Sequence, residues 1–161
     1  MFSSWHTFFS TQAEVGASLT GLLFVALSIN LKHILSLPGL AGRAGEAVLL
    51  LLFPVFVGLS GVLPQTSVEA FGRELLVLGV LELTAVTAII VKGRRAAAAR
   101  PPREYLARVI MAEVAVIPTV IAGALLSAHH PGGLWWQAAG TGLCIATGVL
   151  DAWVLLVEIL R

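Results

Sequence analysis

The sequence predicts an all-α integral membrane protein, a single bundle of about five transmembrane helices over residues 1–161. Hydrophobic residues make up 58% of the chain and charged residues 12%, whereas about a quarter of the residues in soluble domains are charged. The mean hydropathy is +0.94. A helix needs about 20 residues to cross the hydrocarbon of a bilayer, so five crossings occupy nearly the whole chain. We therefore expect no separate soluble catalytic domain.

The first helix is predicted over residues 13–31, an apolar run that ends at Lys32. Trp5, Phe8 and Phe9 precede it, in a segment without the basic region that starts a signal peptide. Aromatic side chains of this kind collect at the boundary between lipid and water. We therefore expect this first segment to lie at the level of the lipid headgroups.

The second helix is predicted over residues 46–63 and the third over residues 75–91. A glycine-rich loop with Pro38 precedes the second helix, and a polar segment follows it. Pro54 lies inside the second helix, where it removes a backbone donor and is expected to bend the helix. The third helix ends at Lys92, the first residue of a basic cluster.

The fourth helix is predicted over residues 106–128 and the fifth over residues 134–160. Pro118 lies near the middle of the fourth helix and is expected to bend it. The sequence HHPGG between the two helices is typical of a turn. The fifth helix starts with Trp135 and Trp136 and is longer than the hydrocarbon requires, so we expect it to tilt or to protrude at its end.

The distribution of basic residues predicts how the helices are oriented. Only Arg73 falls on one side of the predicted membrane. The other side holds Lys32, Arg43, Lys92, Arg94, Arg95, Arg100, Arg103, Arg108 and Arg161. Because short cytoplasmic loops are rich in Lys and Arg, we expect the amino terminus outside and the carboxyl terminus inside. The basic loop suits anionic lipid headgroups, and we expect no nucleic acid as a partner.

Small and polar residues recur along one face of the first predicted helix. Glu14, Ser18, Gly21, Val25 and Ser28 follow one another at steps of three or four residues, which is the spacing of a single helix face. In lipid, such a stripe usually makes a close contact with another helix. The alternative interpretation is a stripe that lines a pore or faces another subunit.

Three carboxyl groups are predicted inside the membrane, those of Glu82, Glu113 and Asp151. A charged side chain at mid-membrane costs at least about 2.5–3.5 kcal/mol and usually marks a functional site. No Lys or Arg is expected in the hydrocarbon to pair with them, so each acid must be protonated, face water or hold a cation. Glu113 and Asp151 lie at similar predicted depths, so they could meet. The alternative is a neutral acid that forms a hydrogen bond with Thr84, Thr87 or Thr147 and holds helices together.

The fifth predicted helix carries a second polar stripe at helical spacing, which consists of Gly140, Cys144, Thr147, Asp151 and Glu158. A bundle either buries such a stripe against a neighbouring helix or lines a water path with it. Cys144 is the only cysteine, so the chain forms no internal disulfide.

Histidines predicted on the outer side, His6, His129 and His130, are weak candidates for metal ligands. Two adjacent histidines on a turn have no fixed ligand spacing, so solvated loop histidines are the favoured interpretation. The sequence also lacks a phosphate-binding glycine loop, an HExxH motif and a recognisable nucleophile–base arrangement. We therefore expect neither a cofactor nor an enzymatic activity.

The first third of the chain resembles a family of small bacterial multi-span membrane proteins. The resemblance covers about Trp5 to Arg43 and rests on WHTFF, GASLTGLLFVALSINLKHIL and LPGLAGRA. Some members of that family are labelled as modulators of a membrane-anchored ATP-dependent protease. The resemblance implies a location in the bacterial inner membrane, and it supplies no functional residues.

These observations predict a small oligomeric channel or carrier for protons or cations. In this hypothesis Glu82, Glu113 and Asp151 bind or relay the ion. The two polar stripes contribute further polar groups, namely Glu14, Ser18, Ser28, Thr147 and Glu158. The alternative is an accessory or regulatory membrane subunit that does not transport and that docks on a membrane protein partner through faces rich in Gly and Ala.

Overall fold

The computed structural model of the chain describes residues 2–96 and 102–159, with side chains described for residues 4–93 and 105–159. Several residues of the predicted basic side lie outside these side-chain ranges: Arg94, Arg95, Arg100, Arg103 and Arg161. The structure therefore tests the predicted basic loop only at its two edges.

The described residues form six α-helices: α1 Phe2–Ile29, α2 Leu31–Ser36, α3 Leu40–Val62, α4 Val68–Ala96, α5 Pro102–Ser127 and α6 Gly133–Ile159. No strand occurs within residues 2–96 and 102–159. All helices except the short α2 are long and apolar enough to cross a membrane. The prediction of an all-α protein with five membrane-spanning helices is confirmed.

Two helices begin well before their predicted starts. α1 starts at Phe2 rather than at residue 13, and α3 starts at Leu40 rather than at residue 46. Gly39 adopts a left-handed conformation with φ of 84°, which glycine tolerates without strain, and it turns the chain directly into α3. The predicted loop is therefore largely helical, and Arg43 lies in the first turn of α3.

α4 and α5 also extend beyond the apolar runs that predict them. α4 covers Val68–Ala96 instead of residues 75–91, and α5 starts at Pro102 instead of at residue 106. Proline is favoured at the first position of a helix because its missing N–H would have no helical partner there. Pro54 and Pro118 lie inside helices, as predicted.

α3 lies at the centre of the bundle, where it contacts α1, α4 and α6, and α5 packs against α4 and α6. Glycines permit some of these contacts. A Cβ added at Gly72 would lie 2.5 Å from the backbone nitrogen of Ser127, and one added at Gly58 would lie 2.6 Å from the carbonyl oxygen of Phe9. Helices α4 and α5, and likewise α1 and α3, therefore meet at backbone level, as small residues allow in lipid.

Aromatic side chains fill the end of the bundle at which α1 begins, which we call the amino end; the carboxyl end is that at which α6 terminates. Phe9 and Phe71 are fully buried and pack edge to face with ring centroids 5.3 Å apart. Trp5 packs edge to face on Trp135 at 5.1 Å. Phe9 is thus part of the protein core rather than an anchor at the lipid surface, because the bundle covers its side chain completely.

Candidate functional site

Polar side chains occupy the buried face of α6. Gln137, Thr141, Cys144, Thr147 and Asp151 are all buried, and they follow one another at steps of three or four residues, which keeps them on one helix face. The polar stripe predicted for this helix therefore faces the interior of the bundle as far as Asp151. We call these five residues the α6 polar line.

A chain of hydrogen bonds links α6, α1 and α3 in the amino half of the bundle. The Gln137 amide donates to the Thr141 hydroxyl at 3.2 Å, and that hydroxyl donates to the side-chain carbonyl of Gln12 at 2.7 Å. The Gln12 amide donates to the backbone carbonyl of Pro54 at 3.3 Å. Gln12 and Gln137 are not among the predicted site residues, because the sequence around an amide side chain does not show which distant groups will bind it.

Two buried oxygens beside this chain have no hydrogen-bond partner in the described part of the protein. They are Oε1 of Gln137, which is 1% exposed, and Oγ1 of Thr119 on α5, which is fully buried. A Cβ added at Gly140 would lie 2.7 Å from Thr119 Oγ1, so Gly140 makes room for this hydroxyl. Buried polar groups almost always have a partner, and a bound water or ion would supply one here.

Glu82 and Cys144 lie in the middle of the bundle. Glu82 on α4 is 8% exposed, and its Oε1 has no hydrogen-bond partner among the described residues. It lies within electrostatic range of the Cys144 thiol, which donates to the backbone carbonyl of Ala115 on α5 at 3.2 Å. Glu82 thus faces protein rather than lipid, as intramembrane acids usually do.

An ion pair joins α3 to α6 in the carboxyl half of the bundle. Nε and Nη2 of Arg43 each lie 3.2 Å from Oδ1 of Asp151. Nη1 of Arg43 lies 3.9 Å from Oε1 of Glu158, whose side chain is 25% exposed. The prediction that the intramembrane acids have no Lys or Arg partner is therefore wrong for Asp151. The early start of α3 places Arg43 in a helix that packs on α6.

A second ion pair adjoins the first. Arg108 on α5 binds Glu46 on α3 through Nε, 2.5 Å from Oε2, and also through Nη2. Glu46 is fully buried, and its Oε1 has no hydrogen-bond partner in the described chain. Asp151 lies within electrostatic range of both Glu46 and Arg108. The two pairs therefore act on each other.

Glu46 is missing from the predicted site residues because the sequence places it at the edge of the membrane. One feature of the sequence points to Glu46: Arg43 and Glu46 are three residues apart, so they share a helix face if the helix starts before Arg43. The two ion pairs and Glu158 together form what we call the charge network: Arg43, Glu46, Arg108, Asp151 and Glu158. Among the side chains that the structure describes, it contains three carboxyl groups and two guanidinium groups.

Glu113 lies apart from the charge network, in a groove between α4 and α5 that opens on the outside of the bundle. Its Oε1 is 2.5 Å from the Thr87 hydroxyl, so the predicted partnership with a threonine is present. The groove has a volume of about 480 Å³ and is lined by Leu83, Thr84, Thr87, Ala88, Val91, Lys92 and Glu113. Glu113 and Asp151 have their partners on different helices, so the structure does not bring the two acids together.

The polar stripe of α1 faces away from the bundle. Glu14, Ser18, Gly21, Val25 and Ser28 are all exposed, and nothing lies within 4 Å of a Cβ built at Gly21. Ser18 and Ser28 each donate at 2.8 Å to a backbone carbonyl four residues earlier. No helix in the described part of the chain covers this face.

The histidines lie at the amino end or in connecting segments. His129 Nε2 is 2.8 Å from Oε1 of Glu69, at the start of α4. No group of three or more His, Cys, Asp or Glu residues suited to a metal ion occurs within the described residues. His6, His129 and His130 therefore do not belong to such a group there.

No protein-family model, curated protein or solved structure matches this chain. The resemblance of the segment from Trp5 to Arg43 to a bacterial family remains a prediction. The functions proposed below therefore rest mainly on the contacts and burial of the chain's own residues.

Proposed function

We propose that the protein is a small channel or carrier that moves protons or cations across the bacterial inner membrane by means of intramembrane carboxyl groups. The charge network carries this proposal, because it brings the carboxyl groups of Glu46, Asp151 and Glu158 together inside a membrane bundle. Ionisable groups inside a membrane usually mark ion pathways and proton relays. In this proposal, these carboxyl groups take up a proton or a cation and release it.

The α6 polar line supports a path from this network toward the amino end. A helix rises about 1.5 Å per residue, so Gln137 and Asp151 are roughly 21 Å apart along α6. A polar side chain lies on each turn between them, and Glu82 approaches the middle of the line from α4. Unsatisfied buried oxygens on Gln137 and Glu82 are places where water or a passing ion would find a ligand.

The orientation and the oligomeric state are part of the same proposal. Nine of the ten Lys and Arg residues lie on the same predicted side of the membrane as the carboxyl terminus, and this favours a cytoplasmic location for that side. Glu14 is exposed on a membrane-spanning helix, where contact with lipid would cost at least about 2.5 kcal/mol. A second subunit that covers the α1 stripe would remove this cost.

Ion flux into liposomes that contain the purified protein tests the proposal. We expect the wild type to conduct protons or a monovalent cation, and we expect Asp151→Asn and Glu82→Gln to fold, as judged by their melting in detergent, but to lose most of the flux. Glu69→Gln is the matched control, because it makes the same change at the partly exposed start of α4, away from the charge network and Glu82. A wild type that stays silent with several ions and pH gradients would overturn the proposal.

A second candidate is an accessory membrane subunit that does not transport. The uncovered stripe of α1 favours it, because a face of exposed small residues with a carboxyl group also suits docking on another membrane protein. The resemblance of residues 5–43 agrees with this function. If the protein is an accessory subunit, Glu82→Gln and Asp151→Asn should leave its complex with the partner membrane protein intact. Gly21→Leu, on the α1 stripe, should abolish that complex, as measured by cross-linking in membranes.

A further inference from the structure

The Thr119 hydroxyl on α5 does not make the hydrogen bond that hydroxyl groups inside helices often make with their own helix. The hydroxyls of Thr20 and Ser127 each donate at 2.7 Å to the backbone carbonyl four residues earlier. The corresponding carbonyl for Thr119 is that of Ala115, and it accepts the Cys144 thiol. Thr119 Oγ1 is fully buried and has no hydrogen-bond partner among the described residues. Its partner must therefore come from outside α5.

The Thr119 hydroxyl lies against α6, where a second buried oxygen also lacks a protein partner. A Cβ built at Gly140 would be 2.7 Å from Thr119 Oγ1. Gln137 precedes Gly140 by three residues, a rise of about 4.5 Å. Gln137 is 1% exposed, and its Oε1 has no partner in the described chain, although its amide nitrogen donates to Thr141. Because buried polar atoms almost always have a partner, these two oxygens indicate a small polar ligand between α5 and α6.

The hydrogen-bonding chemistry of the two side chains selects water as this ligand. The Thr119 hydroxyl has a hydrogen to donate, whereas Gln137 Oε1 can only accept one. A ligand that joins them must accept from the hydroxyl and donate to the amide oxygen. Water does both, and buried waters commonly serve such groups. A metal cation would leave the hydroxyl hydrogen without an acceptor, and an anion would leave Gln137 Oε1 without a donor.

The site lies between the amino half of the bundle and Glu82. Cys144 follows Gly140 by four residues on α6, about one turn, and Glu82 is within electrostatic range of the Cys144 thiol. Thr119, which contacts Gly140, is therefore at a level between Gln137 and Glu82. On α5, Thr119 is 14 residues, about 21 Å, beyond Tyr105, where the described side chains of that helix begin.

We infer that buried water joins Thr119 to Gln137, and that the Thr119 hydroxyl relays protons between this water and Glu82. This inference rests on the proposed function and narrows the transported species to the proton. The Thr119 hydroxyl gives its hydrogen toward Glu82 and accepts one from the water beside Gln137, so it is unchanged after each transfer. The proton ends on a carboxylate oxygen of Glu82, which becomes a neutral acid until it passes the proton on.

The packing of α5 on α6 favours a proton over a metal cation. A Cβ at Gly140 would also lie 3.2 Å from the backbone nitrogen of Thr119, so the two helices meet at backbone level. A hydrated cation needs more space than such a contact leaves, whereas a proton needs only a continuous series of hydrogen bonds. The groups that Thr119 and Gln137 contribute are neutral, which suits a relay more than a cation site.

Nuclear magnetic resonance of the full-length protein in detergent micelles tests the water site. With ¹⁵N-labelled glutamine, we expect a nuclear Overhauser contact between water and the side-chain amide hydrogens of Gln137. Thr119→Val, which has nearly the same shape but no hydroxyl, should lose this contact, and Thr119→Ser should retain it. Thr20→Val makes the same change at a hydroxyl that binds its own helix, and it should retain the contact. A wild type without the contact, or Thr119→Val with it, would overturn the water site.

Proton and cation flux into liposomes tests the relay. We expect the wild type to conduct protons but neither Na⁺ nor K⁺. Thr119→Val should fold, as judged by its melting in detergent, and should lower the proton flux by at least about tenfold, the effect of removing one hydrogen-bonding group from the path. Thr119→Ser and Thr20→Val should keep most of the flux. Undiminished flux in Thr119→Val, or Na⁺ or K⁺ flux in the wild type, would overturn the relay.

Failure of this inference and failure of the proposed function give different results. If the wild type conducts and Thr119→Val conducts equally well, the relay is wrong and the proposed function stands. If the wild type conducts nothing, the proposed function fails and the relay fails with it. In that case the contact between water and Gln137 still decides whether the water site exists.

Discussion

Arg43 and Asp151 are 108 residues apart in the chain and form a partly buried ion pair in which two guanidinium nitrogens lie 3.2 Å from the same carboxylate oxygen. The Asp151 side chain is 9% exposed and that of Arg43 is 17% exposed. The pair fastens the first turn of α3 to α6, two turns before α6 ends. It therefore joins the central helix of the bundle to the helix that carries the polar line.

Removing only the arginine should destabilise the protein. Arg43→Met leaves the Asp151 carboxyl buried without its partner, and we expect a loss of about 3 kcal/mol, near the lower end for breaking a buried pair, since Asp151 can still take up a proton. The double variant Arg43→Met/Asp151→Leu should recover much of this loss, because an apolar pair replaces two charges. Unfolding with a denaturing detergent measures both. A double variant as unstable as the single one would contradict this account.

Replacing Arg108 by lysine should destabilise the protein. Arg108 contacts Oε2 of Glu46 through two nitrogens, whereas a lysine presents a single ammonium. We expect Arg108→Lys to lower the free energy of unfolding by about 1–3 kcal/mol. Arg73→Lys, on the exposed face of α4, is the matched change and should have an effect within about 0.5 kcal/mol. Equal effects of the two variants would count against a tight Arg108–Glu46 pair.

Adding a methyl group between α4 and α5 should push these helices apart. A Cβ at Gly72 would lie 2.5 Å from the nitrogen of Ser127, and a Cβ at Gly123 would lie 2.5 Å from that of Leu76. We expect Gly72→Ala and Gly123→Ala each to destabilise the protein by about 1–3 kcal/mol.

The control for these glycine variants is Gly142→Ala, because nothing lies within 4 Å of a Cβ at Gly142. This helical alanine should be neutral or slightly stabilising, by up to about 1 kcal/mol. Thermal unfolding of all three variants in one detergent gives the comparison. If Gly142→Ala lowered the stability as much as Gly72→Ala, the cause would be the loss of glycine itself and not a clash between two helices.

The hydroxyl of Thr141 should be important for stability although it is far from the charge network. Thr141→Val removes the donor to Gln12 and the acceptor for Gln137, and it leaves two buried amides without these partners. We expect a loss of about 1–3 kcal/mol. Adding Gln12→Leu should cost less than the sum of the single changes, because the two residues share one hydrogen bond. Strict additivity would show that the bond contributes nothing.

Water should reach the α6 polar line if it serves as an ion path. In a Cys144→Ser background, we expect Thr141→Cys and Thr147→Cys to react with a water-soluble, membrane-impermeant thiol reagent during transport. Leu143→Cys and Val149→Cys lie on the exposed face of the same helix, toward lipid, and should not react. Equal reactivity on both faces, or none on the buried face of a conducting protein, would count against this path.

The predictions confirmed by the structure depend on local patterns. Five apolar runs of sufficient length predict five spanning helices, because the bilayer thickness sets the length of a helix. The spacing of Gly140, Cys144, Thr147 and Asp151 places them on one face of α6, because helical periodicity is a property of the segment itself. The polar face of α6 turns inward, where partners exist, whereas the polar stripe of α1 faces outward.

Tertiary structure alone decided which polar groups meet. Glu46 and Arg108 are 62 residues apart, and their pairing depends on how α3 and α5 pack around α6. The same packing leaves Glu82 inside the bundle and Glu113 in an open groove, although both look alike in the sequence. A local pattern shows which face of a helix is polar. Only the packing of helices that are distant in the chain determines which charged groups become neighbours. The physical reason is that contact energies depend on distances between helices, and the periodicity of a single helix does not set those distances.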